Sequence, residues 1–529
     1  MATPFLRVDR ILGDRPFTEV GDPVLAVADR GRGLLAVAGA IERRGVAPVG
    51  VYRTDDLACL ALLRSRDRVH AMAFHPTLPL LAVGTGGYDG GYFFTGELLL
   101  LDLETGAHAS LLEHEYGRKV LGLEWLDAQE LRILLAPPDD WQDRAAHVEG
   151  HVAVVRRPDW RAVPPRTVAP AELAGPRVPA PRPDGREAAR RALSGLAADW
   201  DPRHSIRAVE ALPDGRILAA LDAVAVESWL PSGQRQWAVP DEWGGRDLVV
   251  AADGRSTWVA GPVPWVWKGP AQSVARLSLA DGTELDRLPP AGPVTLVRCL
   301  DGRPALAPVG SDGELGRLRV RRGSRVYFRQ HVSAPRAVGR GPDDTTWLAA
   351  ADLPELPELP ELSEHDGWSA EGPHRPRRKA YRRLFPFAFT PGETHFAGPG
   401  VELDDGGLVH TGTVYDGRGL QPGGSFVVRR AAADGAPLWV FRTDPEATAL
   451  DADDRHAYVG YRDGGLVALD LRTGTATRGR LSVGGVVAVP TALTVAGPGR
   501  LLVGTDDGRI LDCSVELPAQ GLPGRTVNS

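Results

Sequence analysis

His147 and His151 flank Glu149 in the stretch HVEGH, and these are the residues whose types come nearest to metal chemistry. A zinc pair of that kind needs the order His-Glu-x-x-His on a helix, so that both imidazoles share one face. Here a glycine intervenes and the stretch runs into HVAVV, whose alternation predicts a strand. The acids Asp404-Asp405, Asp453-Asp454, Asp463 and Asp506-Asp507 supply oxygens of the type calcium takes. None opens the alternating loop that closes on a distal glutamate, so these acids are expected to bond to their own turn backbone. His114-Glu115 and His204 stand apart from any second ligand, and isolated histidines usually satisfy local hydrogen bonds. Cys59, Cys299 and Cys513 are too widely spaced for a zinc or dithiol pair and are expected to be small buried apolar residues. No nucleophile elbow, phosphate loop or dinucleotide fingerprint stands in a strand-turn-helix context, and Gly84 to Gly91 reads as a hairpin loop. The expectation is therefore no cofactor, no metal and no catalytic residue. A site assembled from single residues of many repeats would leave no spacing to read.

The elements that must position any such site repeat along the chain. From Thr448 to Gly474 an apolar strand, the turn Asp453-Asp454-Arg455, HAYVGY, the turn Asp463-Gly464-Gly465 and LVALD follow one another, closed by Leu471-Arg472-Thr473-Gly474. Ala492 begins the same series with ALTVA, Gly497-Pro498-Gly499, RLLVG, Asp506-Asp507-Gly508 and RILDCSV, and Ala71 to Gly106 repeats it near the N-terminus. Asp-Gly and Pro-Gly pairs reverse a strand within a few residues, so each unit predicts a short antiparallel meander. Such a meander exposes apolar faces that it cannot cover alone, and radial stacking of neighbours solves this with only short edges left. The predicted class is all-β, a β-propeller of four-stranded antiparallel blades with about 7–10 blade-like units. Unit starts fall at Val24, Ala71, Gly122, Ala208, Asp247, Thr295, Arg336, Phe387, Thr448 and Ala492.

The predicted organisation is N-terminal blade-like units over 1–160, a linker over 161–200, and the remaining blades over 201–529 with an insertion at 352–385. Arg161 to Pro183, rich in Pro, Ala and Arg, shows no strand pattern, and Glu187 to Ala198 predicts one short helix. Phe5-Leu6-Arg7-Val8 is expected to complete the last blade. One propeller-like body with the linker across its surface is preferred to two bodies, because three blades cannot close a ring.

Several units resemble the WD-repeat and pyrroloquinoline-quinone-type propeller superfamilies. VGYRDGGLVALDLRTG and GELLLLDLETG look like their third-strand-to-turn segment, AMAFHPTLPLLAVGTG is similar to the opening of a WD-type blade, and GAPLWVFRTD to the tryptophan strand of quinoprotein blades. The resemblance implies a propeller and is generic: Gly-His and Trp-Asp landmarks are missing from the units, and there is no vicinal cysteine pair to accompany a quinone. No catalytic residue is carried over.

Two stretches depart from the repeat. Trp258, Trp265 and Trp267 crowd into STWVAGPVPWVWKGP, where alternation puts Trp265 and Trp267 on one strand face. They are either packed between blades or an aromatic contact patch. The insertion opens with LPELPELPEL, an extended rod presenting leucine and glutamate, and then reverses charge at Arg375, Arg377, Arg378, Lys379, Arg382 and Arg383 around Tyr381. Those basic residues and Tyr381, with Trp265 and Trp267, are the candidate partner-binding residues.

Composition sets the outer limits. Of 529 residues, 43% are apolar and 24% charged, enough for a large core, and a net charge of -7 provides no general attraction to nucleic acid or anionic membrane. Met1 to Phe17 lacks the apolar run of an export signal, and no stretch is long enough to span a bilayer. Lysine occurs only at Lys119, Lys268 and Lys379, a bias associated with GC-rich bacterial genes. The leading reading is a cytoplasmic, non-catalytic propeller that scaffolds or recognises one or more proteins through rim loops and 352–385. The alternatives are an enzyme or small-ligand sensor using a central channel, and a nucleic-acid-associated factor using the basic insertion.

Overall fold

The structure is a computed structural model that describes residues 5–41, 46–88, 94–112, 119–137, 145, 148–180, 184–198, 200–251, 253–262, 272–288, 294–298, 304–308, 319–320, 331–333, 379–381, 399–405, 407–415, 420–431 and 436–517. The chain forms two compact units. The larger comprises Met1–Gly13, His204–Ser482 and Val487–Ser529, and the smaller Asp14–Arg203 with Val483–Val486. The fold is all-β, of the propeller-blade type: four-stranded antiparallel meanders recur through both units, with one α-helix among the described residues.

Three meanders make the smaller unit. Their first strands are Pro23–Asp29, Arg68–Phe74 and Val120–Trp125, and consecutive ones pack side by side. The third sheet ends in Arg177–Pro179, within the stretch expected to hold no strand. An edge position explains the misreading, since proline is tolerated where the outward N–H has no ladder partner. Helix Arg186–Leu196 agrees with the sequence. It buries Ala189 and Leu193, the latter against Phe17, Val20, Leu35, Val37 and Tyr52, while Arg186 and Arg190, one turn apart, both grip Asp22. That packing covers one outer face of the first sheet.

In the larger unit five meanders have described strands, and their first strands adjoin in the order Pro399–Glu402, Ala447–Ala452, Pro490–Gly497, Ile206–Ala211 and Asp247–Val250, followed by Val294–Arg298 of a strand pair. Leu6–Leu12 pairs with Ile510–Val515 and becomes the outermost strand of the last sheet, as expected for Phe5 to Val8. The smaller unit is thus inserted in the chain between the last sheet's outer strand and the first strand of the next. Its two ends meet each other, for Arg15 Nη1 lies 3.3 Å from Asp201 Oδ2. Of the ten predicted unit starts, Val24, Ala71, Gly122, Ala208, Asp247, Thr295, Thr448 and Ala492 lie in first strands or in the Val294–Arg298 pair. Arg336 and Phe387 lie outside the described residues.

The Val-Gly that recurs in second strands has a packing cause. A Cβ on Gly84 would lie 2.6 Å from Val120 Cγ1, on Gly460 2.6 Å from Pro490 Cγ, and on Gly504 2.3 Å from Ile206 Cγ2, each the first strand of the neighbouring sheet. Threonines then bolt the same junctions. Thr448 Oγ1 donates to Pro490 O and Thr491 Oγ1 to Ile206 O, both at 2.6 Å, from bulged positions of their strands. Further along, Asp451 Oδ2 accepts from Val495 N and Thr494 Oγ1 donates to Val209 O. Buried backbone groups between sheets are satisfied by side chains repeating at matched positions.

Candidate functional site

The turn acids do what their local chemistry predicts. Asp453 Oδ1 accepts the backbone N–H of Arg455 and His456, and its Oδ2 accepts the Tyr458 hydroxyl. Asp463 accepts Gly465 N and Asp405 accepts Gly407 N, while Asp507 takes Arg509 N on one oxygen and the Arg509 guanidinium on the other. Among the described residues no group of three or more acids, histidines or cysteines is placed to hold a metal. His151 lies in strand Glu149–Arg156 with Nδ1 2.9 Å from Gly175 O, and Glu149 is paired with Arg177. His147 and His114-Glu115 lie outside the described residues, and His204 is half-buried. Cys513 is buried, and burial reinforced by Asp512 and Asp9 pushes its thiol up to about 12, leaving no nucleophile at neutral pH. Cys59 is half-buried with Sγ 3.5 Å from Ala61 O, and Cys299 lies outside the described residues.

Two histidines missed as structural parts are fully used. His75 accepts Thr77 N and Leu78 N at Nδ1, which fixes the proton on Nε2 for donation to Ala128 O of the next sheet. Burial holds its pKa below the ordinary value. His410, also fully buried, accepts the Arg430 guanidinium Nε at 3.1 Å, and burial with that charge drives its pKa to about 3. Only burial, invisible in a lone histidine, distinguishes these from surface residues.

Of the predicted partner-binding residues, Lys379 and Tyr381 lie on strand Lys379–Tyr381, paired antiparallel with His331–Ser333 so that Tyr381 faces His331 in register and Lys379 faces Ser333. Arg375, Arg377, Arg378, Arg382, Arg383, Trp265 and Trp267 lie outside the described residues. Their neighbour Trp258 is 2% exposed, with the Arg276 guanidinium 6.0 Å from its ring, and belongs to the core.

The surface that sequence reasoning missed is the third sheet of the smaller unit. Its inner face buries Leu131, Ile133, Leu135, Ala153 and Val155 with Trp160 and Leu173. The alternate residues face outward, and there Val154 is 48% exposed, with Leu126 at 45% and Val148 at 58% near its ends. Arg132 stands in register between Glu124 and Val154 and pairs with Glu124, and Arg156 reaches Glu130 at 3.7 Å. On that outward face one exposed valine stands beside two ion pairs.

No family model matches the chain, and no curated protein matches it. Among solved structures it is similar to the computationally designed Ika8 protein, at 11% identity over 94% of this chain and 97% of that one with a TM-score of 0.17. It is similar also to BamB from Moraxella catarrhalis, at 12% identity over 96% of this chain and 99% of that one with a TM-score of 0.24. Likenesses this distant say nothing of function, and the fold stands on the sheets and their order. Among the described residues no helix is long and apolar enough to cross a membrane.

Proposed function

We propose that the chain is a non-catalytic scaffold or recognition subunit of the cytoplasm that holds one or more protein partners. The observation that carries this reading is the outward face of the smaller unit's third sheet. A propeller blade ordinarily packs both faces against neighbours, whereas Val154 and the side chains around it meet solvent beside the Glu124–Arg132 and Glu130–Arg156 pairs. The insertion adds a second contact region in the larger unit, where the Leu-Pro-Glu repeat and the arginine run offer both signs of charge.

The test is quantitative copurification of the tagged full chain from its native host, set beside Val154→Glu and a variant with Arg375, Arg377 and Arg378 all changed to Glu. The expected result is that at least one variant loses a stoichiometric protein partner by about tenfold or more while its unfolding transition is unchanged. A partner set identical in all three proteins would overturn the reading.

A further inference from the structure

We draw no further inference here: the strongest candidate, the buried hydroxyls of Thr413, Ser425 and Tyr461 on the larger unit's sheets that begin with Pro399–Glu402 and Ala447–Ala452, borders residues 416–419, which lie outside the described residues, and nothing in the structure shows what those hydroxyls would bind.

Discussion

Gly504→Val is expected to destabilise the larger unit by about 3 kcal/mol. The new Cβ would stand 2.3 Å from Ile206 Cγ2, 2.6 Å from Ile206 Cβ and 3.2 Å from Ala492 Cβ. None of these atoms has room to yield. Ile206 is fully buried among Val209, Ile217, Ala219 and Leu502, and a β-branched side chain on a strand has few rotamers to escape into. The backbone is pinned as well, because Ile206 O accepts the Thr491 hydroxyl. Urea unfolding reads the loss. Since the clash is with the Ile206 side chain, the double variant Gly504→Val with Ile206→Ala should recover part of it, a coupling that two independent lesions would not give. Additive losses would mean that the two sheets do not meet at this point.

Asp512→Ala is expected to cost about 2 kcal/mol, and to loosen the N-terminal strand first. Asp512 Oδ2 accepts Arg10 Nη2 at 2.9 Å from that strand, and both carboxylate oxygens accept the Arg500 guanidinium at 2.8 Å from the adjacent strand. One carboxylate ties three strands. Burial by itself would raise the Asp512 pKa, but the bonds and charge of Arg500 and then Arg10 outweigh it and hold the group below the usual carboxylate value. A depressed folded pKa contributes stability that is present above the unfolded carboxylate pKa and is lost as pH falls through the folded value. Wild type should therefore lose stability on acidification in that window more steeply than Asp512→Ala, and the two curves should converge at low pH. Parallel curves would show that Asp512 does not have the role assigned to it. The partly exposed arginines, at 27% and 39%, keep the expected cost below that of a fully buried network.

The blades were legible because turn chemistry is local. Asp453, Asp463 and Asp507 accept the backbone N–H two residues on, and the apolar runs between such turns became the strands. Even the completion of the last sheet by Leu6–Leu12 could be anticipated, since an unpaired N-terminal strand and a three-stranded last unit answer each other. The reason for glycine in LLAVG, AYVG and LLVG was not legible, because it lies in the neighbouring sheet. Arg177–Pro179 escaped notice because a short edge strand bearing proline carries no periodic signal. The site was harder still. Val154 reads as an ordinary alternating residue until its exposed face is seen.

The pairing of Leu6–Leu12 with Ile510–Val515 underlies both the propeller reading and the insertion of the smaller unit, and the chain supplies its own probe. Val8 is the direct register partner of the native Cys513. In Val8→Cys, with Cys59→Ser and Cys299→Ser removing the other thiols, the two cysteines would face each other at cross-strand distance, within reach of a disulfide after small adjustment. Mild oxidation followed by alkylation and peptide mass mapping should recover a single linked species joining the N-terminal and C-terminal strands. Two freely alkylated thiols under those conditions would contradict the closure of the last sheet by the N-terminal strand.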